Sequence, residues 1–329
     1  MAWPGQPRER YVMRQLVTGG AGFIGSNYVR HVLSSSDDEV TVLDALTYAG
    51  GRDTMVDVLS DPRVTFVHGD ICDREVVGAT VPGHDVIVHF AAESHVDRSI
   101  EGPDTFVLTN CLGTNVLCDV ARQVGVSRFV HVSTDETYGS RPEGSFTEED
   151  VLTPSSPYSA SKAGSDLIAL GYRTTFGLPV MVTRCSNNYG PYQFPEKVIP
   201  LFITNLLDGL SVPVYGDGMN VRDWIHVADH CEGVDRVLRH GVEGEIYNLG
   251  GGNEVPNLEL TRWLLELCGR GEDAIVYVPD RLGHDFRYSV DCTKARGLGW
   301  VPRRSLREGL EATVAWYRDN EAWWRPRKP

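Results

Sequence analysis

The stretch "RQLVTGGAGFIGS", residues 14–26, decides the fold. Its first half is a short β-branched apolar run, and its second half sets Gly19, Gly20, Gly22 and Gly25 ahead of a segment of helical length. The spacing reads as Gly19-x-x-Gly22-x-x-Gly25 and, shifted by one, as Gly20-x-Gly22-x-x-Gly25. Such glycines permit a tight turn from strand into helix, let the backbone approach a pyrophosphate, and allow strand and helix to pack closely, with the helix N-terminus facing the anion. A glycine-rich turn alone is weak evidence, but its surroundings are right. Asp44 closes the next strand-like run, "EVTVLD" (39–44), 19 residues beyond Gly25. A carboxylate there accepts hydrogen bonds from both ribose hydroxyls of a dinucleotide and repels a 2′-phosphate, so NAD is expected rather than NADP.

The pattern continues outward. Strand candidates recur at "VTFVHGD" (64–70), "DVIVHFA" (85–91), "RFVHVST" (128–134) and "PVMVTRC" (179–185), separated by amphipathic segments long enough for crossovers. Alternation of this kind is the signature of a parallel sheet covered by helices, and we expect a Rossmann-type doubly wound α/β domain. Asp70 and the "FAAES" run (90–94) then fall at the carboxyl edge of the sheet, where open α/β sheets bind ligands. Asp70 could meet an adenine amino group or simply cap the turn that follows.

Composition narrows the class. With 329 residues, 41% of them hydrophobic, the chain can bury one large or two ordinary cores. A formal charge of −14 argues against nucleic-acid binding, which needs a concentrated basic surface. The seven cysteines form no C-x-x-C pair and are odd in number, so neither a disulfide framework nor a metal site is suggested and a reducing cytoplasm is expected. No apolar run reaches the ~18 residues of a membrane span, and the N-terminus lacks the apolar core of a signal peptide. Residues 1–12 carry two prolines and no periodicity, and read as a disordered extension or the product of an upstream start codon.

After Asn187 the texture changes. "NNYGPYQFPEKVIP" is rich in proline and aromatic residues, whereas "IHVADHCEGVDRVLRH" followed by "EIYNLGG" reads as one more helix and strand returning to the first domain. We therefore expect interleaved domains: 13–187 plus about 223–250 for the dinucleotide, and about 188–222 plus 251–329 as a smaller mixed α/β substrate domain.

Two stretches carry the chemistry. "HVSTDETYGS" (131–140) starts as a buried strand and ends on adjacent carboxylates, Asp135 and Glu136. Repulsion and desolvation raise the proton affinity of one of the pair, which is useful for proton transfer; a solvated turn is the bland alternative. "SSPYSASKAGSDLIA" supplies Tyr158-x-x-x-Lys162, two residues on one helical face. An ammonium beside a phenol can lower its pKa and make it a base. Thr134, at the strand end 24 residues before Tyr158, offers a hydroxyl to the same substrate oxygen. Many Y-x-x-x-K helices are structural; with the glycine-rich turn and Thr134 the functional reading prevails.

The glycine-rich turn, Tyr158 and Lys162 resemble the extended short-chain dehydrogenase/reductases that act on nucleotide sugars. From about residue 14 to the end, "DALTYAG", "AAESHVDRSI", "STDETYG", "SPYSASKA", "RCSNNYGPYQFPEKVIP", "VYGDGMNVRDW", "YNLGGGNE" and "GHDFRYSVD" are similar to the dTDP-glucose 4,6-dehydratases in particular. The resemblance implies a lyase that oxidises C4 of dTDP-glucose, eliminates water across C5 and C6 and returns the hydride to C6, with NAD tightly held and regenerated. In that scheme Thr134, Tyr158 and Lys162 serve the oxidation, Glu136 takes the C5 proton and Asp135 protonates the leaving C6 hydroxyl. It further implies a cofactor site of Gly19, Gly22, Phe23, Ile24, Gly25, Asp44, Asp70, Ile71, Ala91, Ala92, Thr109, Tyr158, Lys162, Cys185 and Asn188. Near the hexose it places Ser94, Thr134 and Asn187, with Glu196, Lys197 and Val198 opening the substrate lid. Arg222 and Arg281 would clamp the diphosphate, Tyr215 would stack on the base, and Asn257 and His284 would contact diphosphate or ribose. Leu282 stands where the family usually has proline. No metal is implied. A homodimer is expected, built on "NCLGTNVLCDVARQ" and "SASKAGSDLIALGYR" as a four-helix interface.

The competing readings are a 4-epimerase or decarboxylase of another nucleotide sugar, which has no use for Asp135 and Glu136 together, and an NAD-binding regulator without turnover.

Overall fold

The structure, a computed structural model, describes residues 12–280 and 285–328. The expected runs become strands β1 (Arg14–Thr18), β2 (Glu39–Asp44), β3 (Val64–His68), β4 (Val86–His89), β5 (Arg128–Thr134) and β6 (Val180–Cys185). With β10 (Ile246–Leu249), reached after β7 (Asn187–Tyr189), β8 (Val212–Tyr215) and β9 (Val221–His226), they form one seven-stranded sheet. Its order is β10-β6-β5-β4-β1-β2-β3, and every pairing is parallel. Helices cover both faces, so the central strands are buried on both sides and read as continuous apolar runs rather than alternating ones; all six residues of β6 are buried. The strand order reverses beside β1, and the clefts at the carboxyl ends of β1, β2, β4 and β5 open on that side.

Two helices matter for the site. Phe23–Ser35 starts at Gly22 without a side-chain cap and without an acidic residue in its first turn, which leaves its first backbone N–H groups available to an anion. Pro157–Phe176 is fixed at its start by a reciprocal cap between Ser156 and Ser159, with Pro157 at the first position, and is stopped by Gly177 in the left-handed conformation. Its face bearing Tyr158, Lys162 and Asp166 is buried.

The rest of the chain adds a three-stranded sheet, β11 (Glu254–Pro256)-β9-β7, and a parallel pair of β12 (Ile275–Val278) with β8. Helices Val198–Leu207, Asn257–Cys268 and Leu306–Asp319 enclose a separate core containing Tyr189, Phe202, Trp224, Leu264 and Trp324. Cys292, Ala295 and Trp300 instead join the core on one face of the large sheet, alongside Val234 and Tyr247. Among the described residues no helix is long and apolar enough to cross a membrane. Arg281, Leu282 and His284, together with the extension 1–11, lie outside the described residues.

Candidate active site

The glycine-rich turn closes as its spacing demands. Gly19 has φ +71, and a Cβ on it would come within 2.6 Å of the Ala91 nitrogen. A Cβ on Gly25 would lie 2.2 Å from the Gly19 carbonyl oxygen. Only glycine permits that strand-to-helix approach, and it leaves a cradle at the open helix N-terminus. Asp44 flanks the cradle, and its carboxylate accepts from the Ala21 N–H at 2.9 Å and from the Leu46 N–H at 2.8 Å. Burial holds its pKa above the ordinary carboxylate value, and these two donors oppose that rise in part. Asp70 accepts from the Cys72 N–H at 2.8 Å and also faces the cleft, so the capping and ligand readings are compatible.

One cleft runs from this cradle to the end of β5. Every residue expected for the cofactor lines it: Phe23, Ile24, Ile71, Ala91, Ala92 and Thr109 with the glycines and aspartates, and Tyr158, Lys162, Cys185 and Asn188 at the far end. A glycine cradle, an unfilled helix N-terminus and a buried carboxylate with spare acceptor capacity fit a dinucleotide with a free 2′-hydroxyl. Thr134, Asp135, Glu136, Ser94, Asn187, Glu196 and Lys197 line the same cleft. Four other expected substrate residues do not. Val198 begins the next helix, Tyr215 ends β8, and Asn257 begins helix Asn257–Cys268. The Arg222 guanidinium donates to the backbone carbonyls of Val221 at 2.8 Å and Asp285 at 2.9 Å, and lies over the Tyr288 ring at 4.3 Å. Glu93, Gln193 and Phe194 line the cleft without having been marked in the sequence, because only the packing of distant loops brings them there.

The reacting end is dry and acidic. Asp135 is 2% exposed, and its Oδ2 finds no partner among the described residues. Burial, then the charges of Glu136 and Asp223, hold its carboxyl well above the usual range. The Thr134 hydroxyl caps the turn by accepting from the Glu136 N–H at 3.2 Å. Lys162, also buried, donates to the Val132 carbonyl at 2.8 Å. Burial lowers its pKa against the opposing charge of Asp166. The lowering of the Tyr158 phenol expected from Lys162 is not what this structure shows. Burial and the Glu136 charge hold that phenol well above its ordinary value, with the Thr134 hydroxyl as the opposing contact. No group of His, Cys, Asp and Glu among the described residues is arranged to hold a metal ion.

The family model described as GDP-mannose 4,6 dehydratase matches residues 16–313. A dTDP-glucose 4,6-dehydratase of Streptomyces antibioticus is 58% identical over 323 residues, 96% of this chain and 96% of that protein. The low-salt glycan biosynthesis protein Agl12 of Haloferax volcanii is 55% identical over 305 residues, 93% of this chain and 98% of that protein. Among solved structures, a dTDP-glucose 4,6-dehydratase from Streptomyces venezuelae with NAD bound superimposes with a TM-score of 0.94 at 56% identity, covering 96% of this chain and all of that one. The UDP-glucose 4-epimerase of Thermus thermophilus, in complex with NAD, follows the same fold with a TM-score of 0.86 at 34% identity, over 94% of this chain and all of that one.

Proposed function

The chain belongs to the GDP-mannose 4,6 dehydratase family, and from that premise we propose that it is a dTDP-glucose 4,6-dehydratase: a lyase that converts dTDP-glucose into dTDP-4-keto-6-deoxyglucose and water with NAD tightly bound. The observation that carries this reading is the Asp135–Glu136 pair, one carboxyl buried with an unpartnered oxygen beside a second carboxylate, in the same cleft as Tyr158 and Lys162.

Gly19, Gly22, Gly25 and Asp44 would hold NAD, which would supply a reversible hydride acceptor for C4 and donor for C6. Tyr158 removes the C4 hydroxyl proton, Lys162 supports the phenolate, and the Thr134 hydroxyl orients the oxygen. With C4 a ketone the C5 hydrogen becomes acidic; Glu136 removes that proton and gives it back to C5 as C6 is reduced. Asp135 gives its proton to the departing C6 hydroxyl, so the site needs one carboxyl ionised and its neighbour protonated at the same pH. Burial of Asp135 and the adjacent charge supply that division. A 4-epimerase runs only the C4 redox step and has no task for such a pair.

Ser94, Asn187, Glu196 and Lys197 are placed to meet the sugar. Asn187 offers a buried Oδ1 without a protein partner among the described residues. In this reading Val198 opens the substrate lid, Arg222 and Arg281 serve the diphosphate, Tyr215 the base, and Asn257 and His284 the diphosphate or ribose. The two cores support a division into a dinucleotide lobe, 13–187 with about 223–250, and a nucleotide-sugar lobe, about 188–222 with 251–329, the segment around Cys292 to Trp300 packing back on the first. A homodimer through the segments 110–123 and 159–173 is supported by exposed Leu112 and Leu167, with Val107 and Leu108 exposed just before the first. A cytoplasmic setting follows from seven free thiols.

Assay of dTDP-, UDP-, CDP- and GDP-glucose for a 4-keto-6-deoxy product tests the reading. Product from dTDP-glucose alone, or fastest from it, is expected; C4 epimerisation without C6 reduction would overturn it. Light scattering at micromolar concentration is expected to give twice the chain mass, and a monomeric mass would overturn the dimer.

A further inference from the structure

Three loops that are remote in sequence meet across the mouth of the cleft. The first follows β2 and contributes Thr47 and Gly50 to the cleft wall; the second follows β4 and contributes Glu93 and Ser94; the third precedes helix Val198–Leu207 and contributes Phe194 and Lys197. Their meeting point is Tyr48, a residue that neither the oxidation nor the elimination uses. The Tyr48 hydroxyl donates to Glu196 Oε1 at 2.8 Å. Arg98 lays its guanidinium over the Tyr48 ring, 3.5 Å from the centroid, and Phe194 packs edge-on against the same ring at 5.5 Å and 82°. His95 Nε2 lies 3.9 Å from Glu196 Oε2. The next residue, Lys197, donates to the Ser94 carbonyl at 2.8 Å.

This clasp is tied to the reacting end. The buried amide of Asn110 accepts from the Glu93 N–H at 2.9 Å and donates to the Glu93 carbonyl at 3.1 Å, while the same nitrogen lies 2.8 Å from Ser161 Oγ, one residue before Lys162. Hydrogen bonds and adjacent residues therefore connect the loop beside Asp44, through Tyr48, Glu196–Lys197, Ser94–Glu93 and Asn110, to Ser161 on the helix that carries Tyr158. A dinucleotide reaching from Asp44 to Tyr158 would share the cleft that Thr47, Gly50, Glu93, Phe194 and Lys197 line.

We propose that Tyr48 and Arg98 are positioning residues of a clasp that closes these three loops over the bound dinucleotide and keeps it in the cleft between turnovers. The inference rests on the NAD-dependent reading above. A dehydratase must return to the sugar the same hydride it removed, so a cofactor that escaped in mid-cycle would leave an oxidised sugar and an inactive site. The Tyr48–Glu196 hydrogen bond also links the retaining loop to a side chain that lines the cleft, so opening the clasp changes the cleft wall itself.

The test uses the full-length holoenzyme purified without added NAD. Release of NAD is followed by separating free from protein-bound nucleotide at intervals after dilution. Tyr48→Phe and Arg98→Met are each expected to release NAD at least about tenfold faster than the wild type, on the order of one lost charge-assisted contact. At saturating NAD their melting temperatures should stay within about 2 °C of the wild type. Glu196→Ala should release NAD as fast as Tyr48→Phe, and Glu196→Gln, which keeps an acceptor for the Tyr48 hydroxyl, should restore slow release. Wild-type release rates in both Tyr48→Phe and Arg98→Met would overturn the clasp; so would equal acceleration by Glu196→Gln and Glu196→Ala. If the wild type holds NAD but forms no 4-keto product from dTDP-glucose, the functional reading fails while the release rates still decide the clasp.

Discussion

Two aspartates end two strands of the same sheet, and both are buried, yet they are built for opposite states. Asp44 closes β2 with both oxygens engaged by backbone N–H donors. Those donors stabilise the anion, which is what a ribose-binding acceptor needs. Asp135 follows β5 directly, has no backbone N–H on its carboxylate, leaves Oδ2 without a partner among the described residues and sits beside Glu136. Its surroundings favour the neutral acid, which is what a proton donor needs. Burial of a carboxyl therefore says little by itself; whether donors or a like charge accompany it decides the protonation state.

Substitution at Asp135 should give the larger effect. Asp135→Asn keeps the shape and removes the transferable proton, and loss of a general acid costs about 10²–10⁴-fold. Product formation from dTDP-glucose should fall by that factor while C4 oxidation, read as nicotinamide absorbance at 340 nm in a single turnover, persists. Product at near wild-type rate would return Asp135 to the role of a turn residue. Glu136→Gln should in addition abolish deuterium exchange at C5.

Substitution at Asp44 should act on binding. Asp44→Ala removes the acceptor of the ribose hydrogen bonds, at about 1–3 kcal/mol for a charged partner, so the purified variant should depend on added NAD. Full activity without supplement would show that the carboxylate does not hold the ribose.

The pH dependence should separate the two as well. The Asp135 carboxyl is held above its unfolded value, so the folded protein binds that proton more tightly, and the elimination should slow as pH rises through the raised pKa. Asp135→Asn should flatten this alkaline limb in single-turnover elimination. A limb that persists in the variant belongs to another group.

The smallest effect is on stability: both carboxyls are held above their ordinary values by burial, and the two backbone donors on Asp44 separate the sites. With a raised folded pKa, Asp135 loses stability relative to the unfolded chain as pH climbs above the ordinary carboxylate range, so at neutral pH Asp135→Asn relieves a cost. Its melting temperature at saturating NAD should rise by about 2 °C, the shift expected for roughly 1 kcal/mol in a chain of this size. Asp44→Asn turns an amide N–H toward a backbone donor and should lower it by a similar amount.

The dinucleotide end could be read almost completely from the sequence because it is local. β1, the glycines, the following helix and Asp44 lie within about thirty residues, and steric demands at Gly19 and Gly25 leave no alternative residue. The six strand candidates lie within two residues of the observed bounds, since β-branched runs buried on both faces allow no helical periodicity. The reacting end was readable as residue types, not as energetics. Nothing in "STDETYG" announces that Asp135 Oδ2 would lack a partner, or that Lys162 would turn to the Val132 carbonyl. The clasp was unreadable, because Tyr48, Arg98, Asn110 and Glu196 are ordinary polar residues until three loops bring them together.

The central claim is that Asp135 is protonated at neutral pH while Asp44 is not. Infrared difference spectroscopy of the NAD-loaded enzyme at pH 7, wild type minus Asp135→Asn and wild type minus Asp44→Asn, measures this directly. The first difference should contain the carbonyl stretch of a protonated carboxylic acid that fades as pH is raised, and the second should contain carboxylate bands only. Carboxylate bands in the Asp135 difference, with no acid carbonyl at any pH between 6 and 8, would contradict the account.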